Sequence, residues 1–166
     1  LLETPDGRLW AGTQSQGVLR LTFPTGWKGG SSATPPTVER FGTAQGLPDL
    51  NDNSVFELEG KPQFATHQGL LRFVDASGRF VPDPRVARLF PEGPRWVSAP
   101  TKDARGWLWL HSKDEVRGGE ETGAAVPDPD GSYHWEPRPL RAFAGAGINA
   151  IHADEDDRVG CRVEHG

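Results

Sequence analysis

The strongest constraint on this chain is that it repeats itself. The phrase Asp6-Gly7-Arg8-Leu9-Trp10-Ala11-Gly12-Thr13 is followed by Gly17-Val18-Leu19-Arg20-Leu21. The same order returns at Glu59-Gly60-Lys61-Pro62-Gln63-Phe64-Ala65-Thr66, followed by Gly69-Leu70-Leu71-Arg72-Phe73. It returns again at Arg105-Gly106-Trp107-Leu108-Trp109-Leu110-His111-Ser112, and more weakly at Asp156-Asp157-Arg158-Val159-Gly160-Cys161-Arg162-Val163. The closing residues Thr13, Thr66, Ser112 and Val163 lie 53, 46 and 51 residues apart. A period of about 40 to 50 residues suits the blades of a propeller or a helical repeat. Composition decides between them. The 166 residues include 21 Gly and 15 Pro, and an interior Gly costs a helix about 1 kcal/mol and a Pro about 3.

Each phrase has a physical reading. An acidic residue followed by Gly forms a hairpin turn, the Gly supplying a positive φ. Leu-Trp-x-Gly-Thr is a strand in which the aromatic fills the gap between neighbouring sheets and the small residue allows close backbone approach. The second unit predicts strands at Val55–Leu58, Gln63–Thr66, Leu70–Val74 and Arg79–Val81, with turns at Glu59–Pro62, His67–Gly69 and Asp75–Gly78. Pro24–Pro36 and Arg117–Gly123 read as loops, and Asp128–Gly131 as a turn into a strand at Ser132–Glu136. The expectation is an all-β fold: a β-propeller fragment of three to four four-stranded antiparallel blades. Its blades would span residues 1–41, 51–82, 95–136 and 147–166, the last truncated after its second strand. The structural repeat positions are Asp6, Gly7, Trp10, Gly12, Thr13, Gly60, Thr66, Gly69, Gly106 and Trp109.

The phrase Asp-Gly-x-Leu-Trp-x-Gly-Thr with its following Gly-Val resembles the two-component regulator propeller repeat. So do the lead-ins Gly46-Leu47-Pro48 with Asn53-Ser54-Val55, and Ile148-Asn149-Ala150-Ile151. The resemblance covers nearly the whole chain and is clearest in the first unit. In the fourth, Asp157, Gly160 and Arg162 replace the turn Gly, the Trp and the small residue. The resemblance implies a seven-bladed sensor propeller in the periplasmic or other extracytoplasmic part of a bacterial inner-membrane receptor. In such receptors it precedes a histidine kinase or diguanylate cyclase. It implies a segment with no catalysis of its own and no cofactor, a small-molecule or carbohydrate ligand, further blades of the same chain, and paired receptors. Two rival readings are a propeller enzyme similar to streptogramin lyase, with a metal and His in its channel, and a protein-interaction propeller of the WD-repeat kind. The second wants Trp-Asp pairs, and the sequence has none.

Charge and residue usage bound the partners. Lys and Arg number 18 against 23 Asp and Glu, net −5. No basic stripe interleaves with aromatics, so nucleic acid is not an expected partner. No apolar run approaches the roughly 18 residues of a membrane span, so no membrane contact is expected. Cys161 is the single cysteine, which excludes an intrachain disulfide and a Cys-based zinc ribbon. The chain has no Met and opens on Leu1 without a charged leader, and is expected to be a segment of something longer.

Candidate chemistry is sparse. Gly145-Ala146-Gly147-Ile148-Asn149-Ala150 matches a dinucleotide-binding pattern but lacks the βαβ setting it needs, and reads as a linker. The acidic run Asp154–Asp157 and the pair Asp128 and Asp130 read as solvated turns rather than calcium loops. His67, His111, His134, His152 and His165 show no H-x-x-x-H spacing, so no metal site is expected. Thr13-Gln14-Ser15-Gln16-Gly17 misses the first Gly of a nucleophile elbow, and no catalytic residue is assigned. Trp10 and Trp109 are core positions, and Trp107 is read onto the opposite face of its strand, packed against the next blade. Trp27, Trp96 and Trp135 lie off the motif, where inter-sheet packing or a flat ligand surface would use them.

Overall fold

The computed structural model describes residues 1–27, 29, 34–143, 148–154 and 158–163. The described residues form four antiparallel sheets, in each of which strand order follows chain order. Sheet 1 holds β1 (Leu2–Glu3), β2 (Arg8–Gly12), β3 (Val18–Thr22) and β4 (Thr37–Phe41). Sheet 2 holds β5 (Ser54–Leu58), β6 (Lys61–Thr66), β7 (Gly69–Val74) and β8 (Arg79–Pro82). Sheet 3 holds β9 (Trp96–Lys102), β10 (Leu108–Lys113), β11 (Glu120–Pro127) and β12 (Tyr133–Glu136). Sheet 4 pairs β13 (Ile148–Ala153) with β14 (Val159–Val163). Helical structure among the described residues is limited to 3₁₀ turns at Thr43–Gln45, Pro84–Val86 and Arg138–Phe143. The strands of sheet 2 match their predicted positions to within one or two residues.

Turn chemistry sets the hairpins. Between β5 and β6, Leu58 pairs with Lys61. The two-residue loop Glu59-Gly60 then takes φ of 53° and 73°, the positive pair that matches the twist of a tight hairpin. The β1–β2 and β9–β10 turns share a different, wider closure. Thr4 N donates to Arg8 O and Gly7 N to Thr4 O, just as Asp103 N donates to Trp107 O and Gly106 N to Asp103 O. The threonine ending the motif is explained by the next turn. Thr13 Oγ1 donates to Gly17 O at 2.8 Å and Thr66 Oγ1 to Gly69 O at 2.9 Å, closing both hairpins with a side-chain bond.

The sheets pack face to face in chain order. Trp10, Val18 and Phe41 of sheet 1 meet Phe64, Leu71 and Phe80 of sheet 2. Phe56, Leu58 and Leu70 meet Val97, Leu108 and Leu110 of sheet 3. Trp109 and Ala124 meet Ile148 and Ile151 of sheet 4. The first strands lie beside one another, β1 against β5, β5 against β9 and β9 against β13. Trp10 is 2% exposed, with Phe64 and Phe73 edge-on at 5.2 Å. The small residue after it is needed: a Cβ on Gly12 would lie 2.1 Å from Asn53 O. Sheets 2 and 3 are covered on both faces, so β10 is almost continuously buried rather than alternating.

Two readings need correction. Arg117–Gly123 is not a loop throughout, because β11 begins at Glu120. Gly123 is a strand glycine: a Cβ there would meet Glu136 O at 2.8 Å and Trp135 Cζ2 at 2.9 Å. It marks close approach by β12, not a turn. Trp107 does not face away from Trp109. It precedes β10, its ring centroid lies 5.8 Å from that of Trp109, and both pack into the cluster shared with sheet 4. Residues two apart in extended chain share a face. Part of the Pro24–Pro36 insertion, residues 28 and 30–33, lies outside the described residues. Trp27 within it is 43% exposed, with its ring tilted against that of Phe23 at 4.7 Å.

Trp109→Ala should therefore cost about 3–5 kcal/mol, the range for a core aromatic. Trp27→Ala should cost less than about 0.5 kcal/mol. Urea unfolding of both variants measures the difference, and equal losses would show that the repeat register is wrong.

Candidate functional site

The repeat register places Trp10, Gln63 and Trp109 at equivalent points of β2, β6 and β10. Two are aromatic and one is polar. Gln63 is 2% exposed, so its amide needs internal partners. With its amide oriented to satisfy its neighbours, its nitrogen donates to Leu71 O and Asp83 Oδ2, and its oxygen accepts from Arg85 Nη2 at 3.1 Å. Asp83, also 2% exposed, caps the Pro84–Val86 turn by accepting from Arg85 N at 3.0 Å. It also takes Arg85 Nη2 at 2.6 Å, and Arg85 Nη1 reaches Glu59 Oε2 at 2.5 Å. Burial pushes the Asp83 carboxyl up, but the Arg85 guanidinium and backbone N–H outweigh it and hold the group below its ordinary value.

Sheet 3 has a second buried carboxylate. Asp103 is 5% exposed and accepts from Trp109 Nε1 at 2.9 Å, Arg105 Nη2 at 2.7 Å and Trp107 N at 3.0 Å. Burial works against its charge, and the Trp109 indole and Arg105 bonds prevail, so its pKa is lowered too.

An open cleft of about 760 Å³ lies between sheets 1 and 2, at the end carrying the β1–β2 and β5–β6 turns. Trp10 and Phe73 give it an aromatic floor, and Asp6, Arg8, Lys61 and Arg72 are among its charged walls. Arg8 contacts Asp6 and Asp75, both at 3.3 Å. Arg20 bridges Glu39 at 2.8 Å and Asp75 at 3.2 Å, and its guanidinium sits 5.1 Å over the Trp10 ring. Asp83 and Glu59 are held by Arg85. Lys61 and Arg72 also line the cleft but make no hydrogen bond or ion pair with the described residues, although Arg72 acts on Asp83 at longer range. No Ser, Cys or His is among the residues lining it. Fixed charges of both signs over aromatic area suit recognition of a small polar ligand.

The other sequence candidates fall elsewhere. His67 Nδ1 lies 2.8 Å from Asp49 Oδ2, and its ring is 6.1 Å from Trp96. His111 is buried against Thr122 Oγ1 at 3.0 Å, and burial lowers its pKa. His134 pairs with Asp128 at 2.8 Å. Among the described residues no three His, Cys, Asp or Glu side chains are gathered to hold a metal. Ser15 sits in the exposed β2–β3 turn. Trp135 donates to Glu121 Oε2 at 3.2 Å. Gly145–Gly147 of the dinucleotide pattern, Glu155–Asp157 of the acidic run, and His165 lie outside the described residues.

Of the repeat positions, Gly7, Gly60, Gly69 and Gly106 hold φ of 76°, 73°, 95° and 83°. Asp6 lies exposed in its turn. Trp10 and Asp6 alone join Gly60 in lining the cleft. The Gln63, Asp83 and Arg85 cluster was missed at the sequence level. Its signals were a glutamine at a Trp position and Asp83-Pro84-Arg85, an N-cap followed by Pro. No protein-family model, no curated protein and no solved structure matches the chain.

Asp83 and Asp103 both have depressed folded-state pKa values. Their stabilisation is complete above the unfolded value of about 4 and is lost as pH falls through it toward the folded values. Asp83→Asn should cost about 3 kcal/mol at pH 7, because it strips the Arg85 guanidinium of its buried partner. It should also flatten the acid limb. Urea midpoints from pH 7 to 2 test this, and an acid limb unchanged by the substitution would contradict it.

Proposed function

We propose that this chain is an arc of a β-propeller serving as a non-catalytic, ligand-binding segment in the extracytoplasmic sensor region of a bacterial two-component receptor. The supporting observation is the succession of three four-stranded antiparallel meanders, stacked face to face in chain order with their first strands side by side. The motif residues supply the resemblance, and the sheets give those residues a shared packing role. A propeller protects its edges by closing a ring of typically 4–8 blades.

The far face of sheet 1 supports an incomplete ring. By pleat alternation, Leu9 and Ala11 point away from Trp10, and their partners Leu21 and Leu19 share that face. All four are only partly buried, and no described sheet covers them. An apolar sheet face of this kind calls for a further blade. In this reading the cleft between sheets 1 and 2 binds a small polar molecule. Occupancy ties two adjacent sheets together and alters the packing of paired receptors.

Size-exclusion chromatography with light scattering, beside thermal unfolding, tests the reading on this chain and on one extended by the neighbouring repeats. The short chain should self-associate or melt at lower temperature, and the extended one should be monodisperse. A monodisperse short chain that melts no lower than the extended one would refute the propeller arc.

A further inference from the structure

We propose that the cleft between sheets 1 and 2 takes the carboxylate group of its ligand, with Trp10 Nε1 as a hydrogen-bond donor to it. The inference rests on the reading of this segment as ligand-binding and names the chemistry of that ligand. The residue opening the β1–β2 turn is Thr4, and the equivalent positions, spaced as the motif is spaced, are Glu57, Asp103 and Asp154. Three units carry a carboxylate there and one does not.

Those carboxylates are used. Asp103 accepts from Trp109 Nε1, Arg105 and Trp107 N. Glu57 Oε1 accepts from Gly60 N at 2.6 Å and from Lys102 Nζ at 3.0 Å. Asp154 Oδ1 accepts from Arg158 N at 2.8 Å. The first unit keeps the backbone closure of the third but loses the acid. Thr4 Oγ1 lies 2.5 Å from Asp6 Oδ1 and 3.0 Å from Arg8 O, both acceptors, so its single proton is committed within the turn.

Trp10 is left with an unanswered donor. Its side chain is buried as deeply as that of Trp109, yet its indole N–H has no acceptor among the described residues. Unlike Trp96 Nε1, which is unpartnered and sealed, Trp10 Nε1 is not sealed from solvent, and Trp10 lines the cleft. An indole can only donate, so its complement is an acceptor entering from the cleft. The lining holds four acids and four bases, so the cleft as a whole is neutral and the preference for an anion is local. The cleft's own acids are each paired with an arginine. Lys61 and Arg72 on its walls remain without a contact partner among the described residues. A carboxylate answers the indole N–H as Asp103 does for Trp109, and Lys61 and Arg72, which line the same cleft from strand positions paired with Leu58 and Gln63, act on its charge at longer range.

The test follows the indole N–H resonances of ¹⁵N-tryptophan-labelled protein, with Trp10 assigned through Trp10→Phe. Succinate is titrated at constant ionic strength, with inorganic phosphate as the parallel probe. The Trp10 resonance should move saturably with succinate while that of Trp109 stays in place. Thr4→Asp supplies the missing internal carboxylate, so it should shift the Trp10 resonance without ligand and weaken succinate binding by about tenfold or more. Lys61→Gln and Arg72→Gln are exposed substitutions that should leave the fold intact and weaken succinate several-fold. A Trp10 resonance unmoved by succinate, or moved equally in Thr4→Asp, would overturn the proposal. So would a response to phosphate in preference to succinate. Any of these would remove the carboxylate while leaving the propeller reading to its own chromatographic test.

Discussion

One tryptophan in the second strand of sheet 1 and one in that of sheet 3 fix how the next sheet can approach. Trp10 and Trp109 fill this role by area, since a buried aromatic removes about 150–250 Å² from water, which stabilises by several kcal/mol at about 25 cal/mol/Å². No α-helix among the described residues covers a sheet face, so the sheets must cover one another. The glycine after Trp10 follows from this. Asn53 carbonyl lies where a Cβ would stand, because the chain entering β5 runs against β2. Large ring and missing side chain are two halves of one contact.

Covering both faces of sheets 2 and 3 also governs what the sequence can reveal. A half-buried strand alternates, but β10 reads Leu108-Trp109-Leu110-His111-Ser112 with every residue buried. Its strand character is legible from the turns on either side and from the repeat, not from alternation. Sheet 2 was legible because Glu59-Gly60 and His67-Gln68 punctuate it at hairpin spacing. The start of β11 was not, since Glu120-Glu121-Thr122-Gly123 is charged and ends in glycine. That glycine answers to Trp135, a residue in another strand.

The candidate site was legible only in part. Trp10 and the Asp6-Gly7 turn stand out in the repeat. The cleft does not, because it needs Arg72, Asp75 and Asp83 brought beside a turn more than sixty residues earlier in the chain. Packing of sheet on sheet makes that juxtaposition, and nothing local encodes it. The polar centre of sheet 2 is similar. Gln63 in place of Trp is readable as a departure, but its meaning lies in Asp83 and Arg85 closing around the amide.

These departures show how a repeat acquires separate sites. A buried aromatic tolerates imprecise neighbours, whereas a buried amide facing an ion pair is costly unless every group is matched. The Gln63 cluster, closed by Leu71, Asp83 and Arg85 of its own unit, is therefore more exacting than the contacts of Trp10 or Trp109, and it distinguishes the second unit from its neighbours. Thr4 is the opposite change. Where the third unit answers its tryptophan internally with Asp103, the first holds the same turn with a hydroxyl and leaves the indole N–H without an acceptor among the described residues. The backbone does not register the difference, because the closure comes from main-chain bonds common to both turns. A repeat can thus give up one side-chain acceptor without losing its fold, and the freed donor becomes available to a ligand.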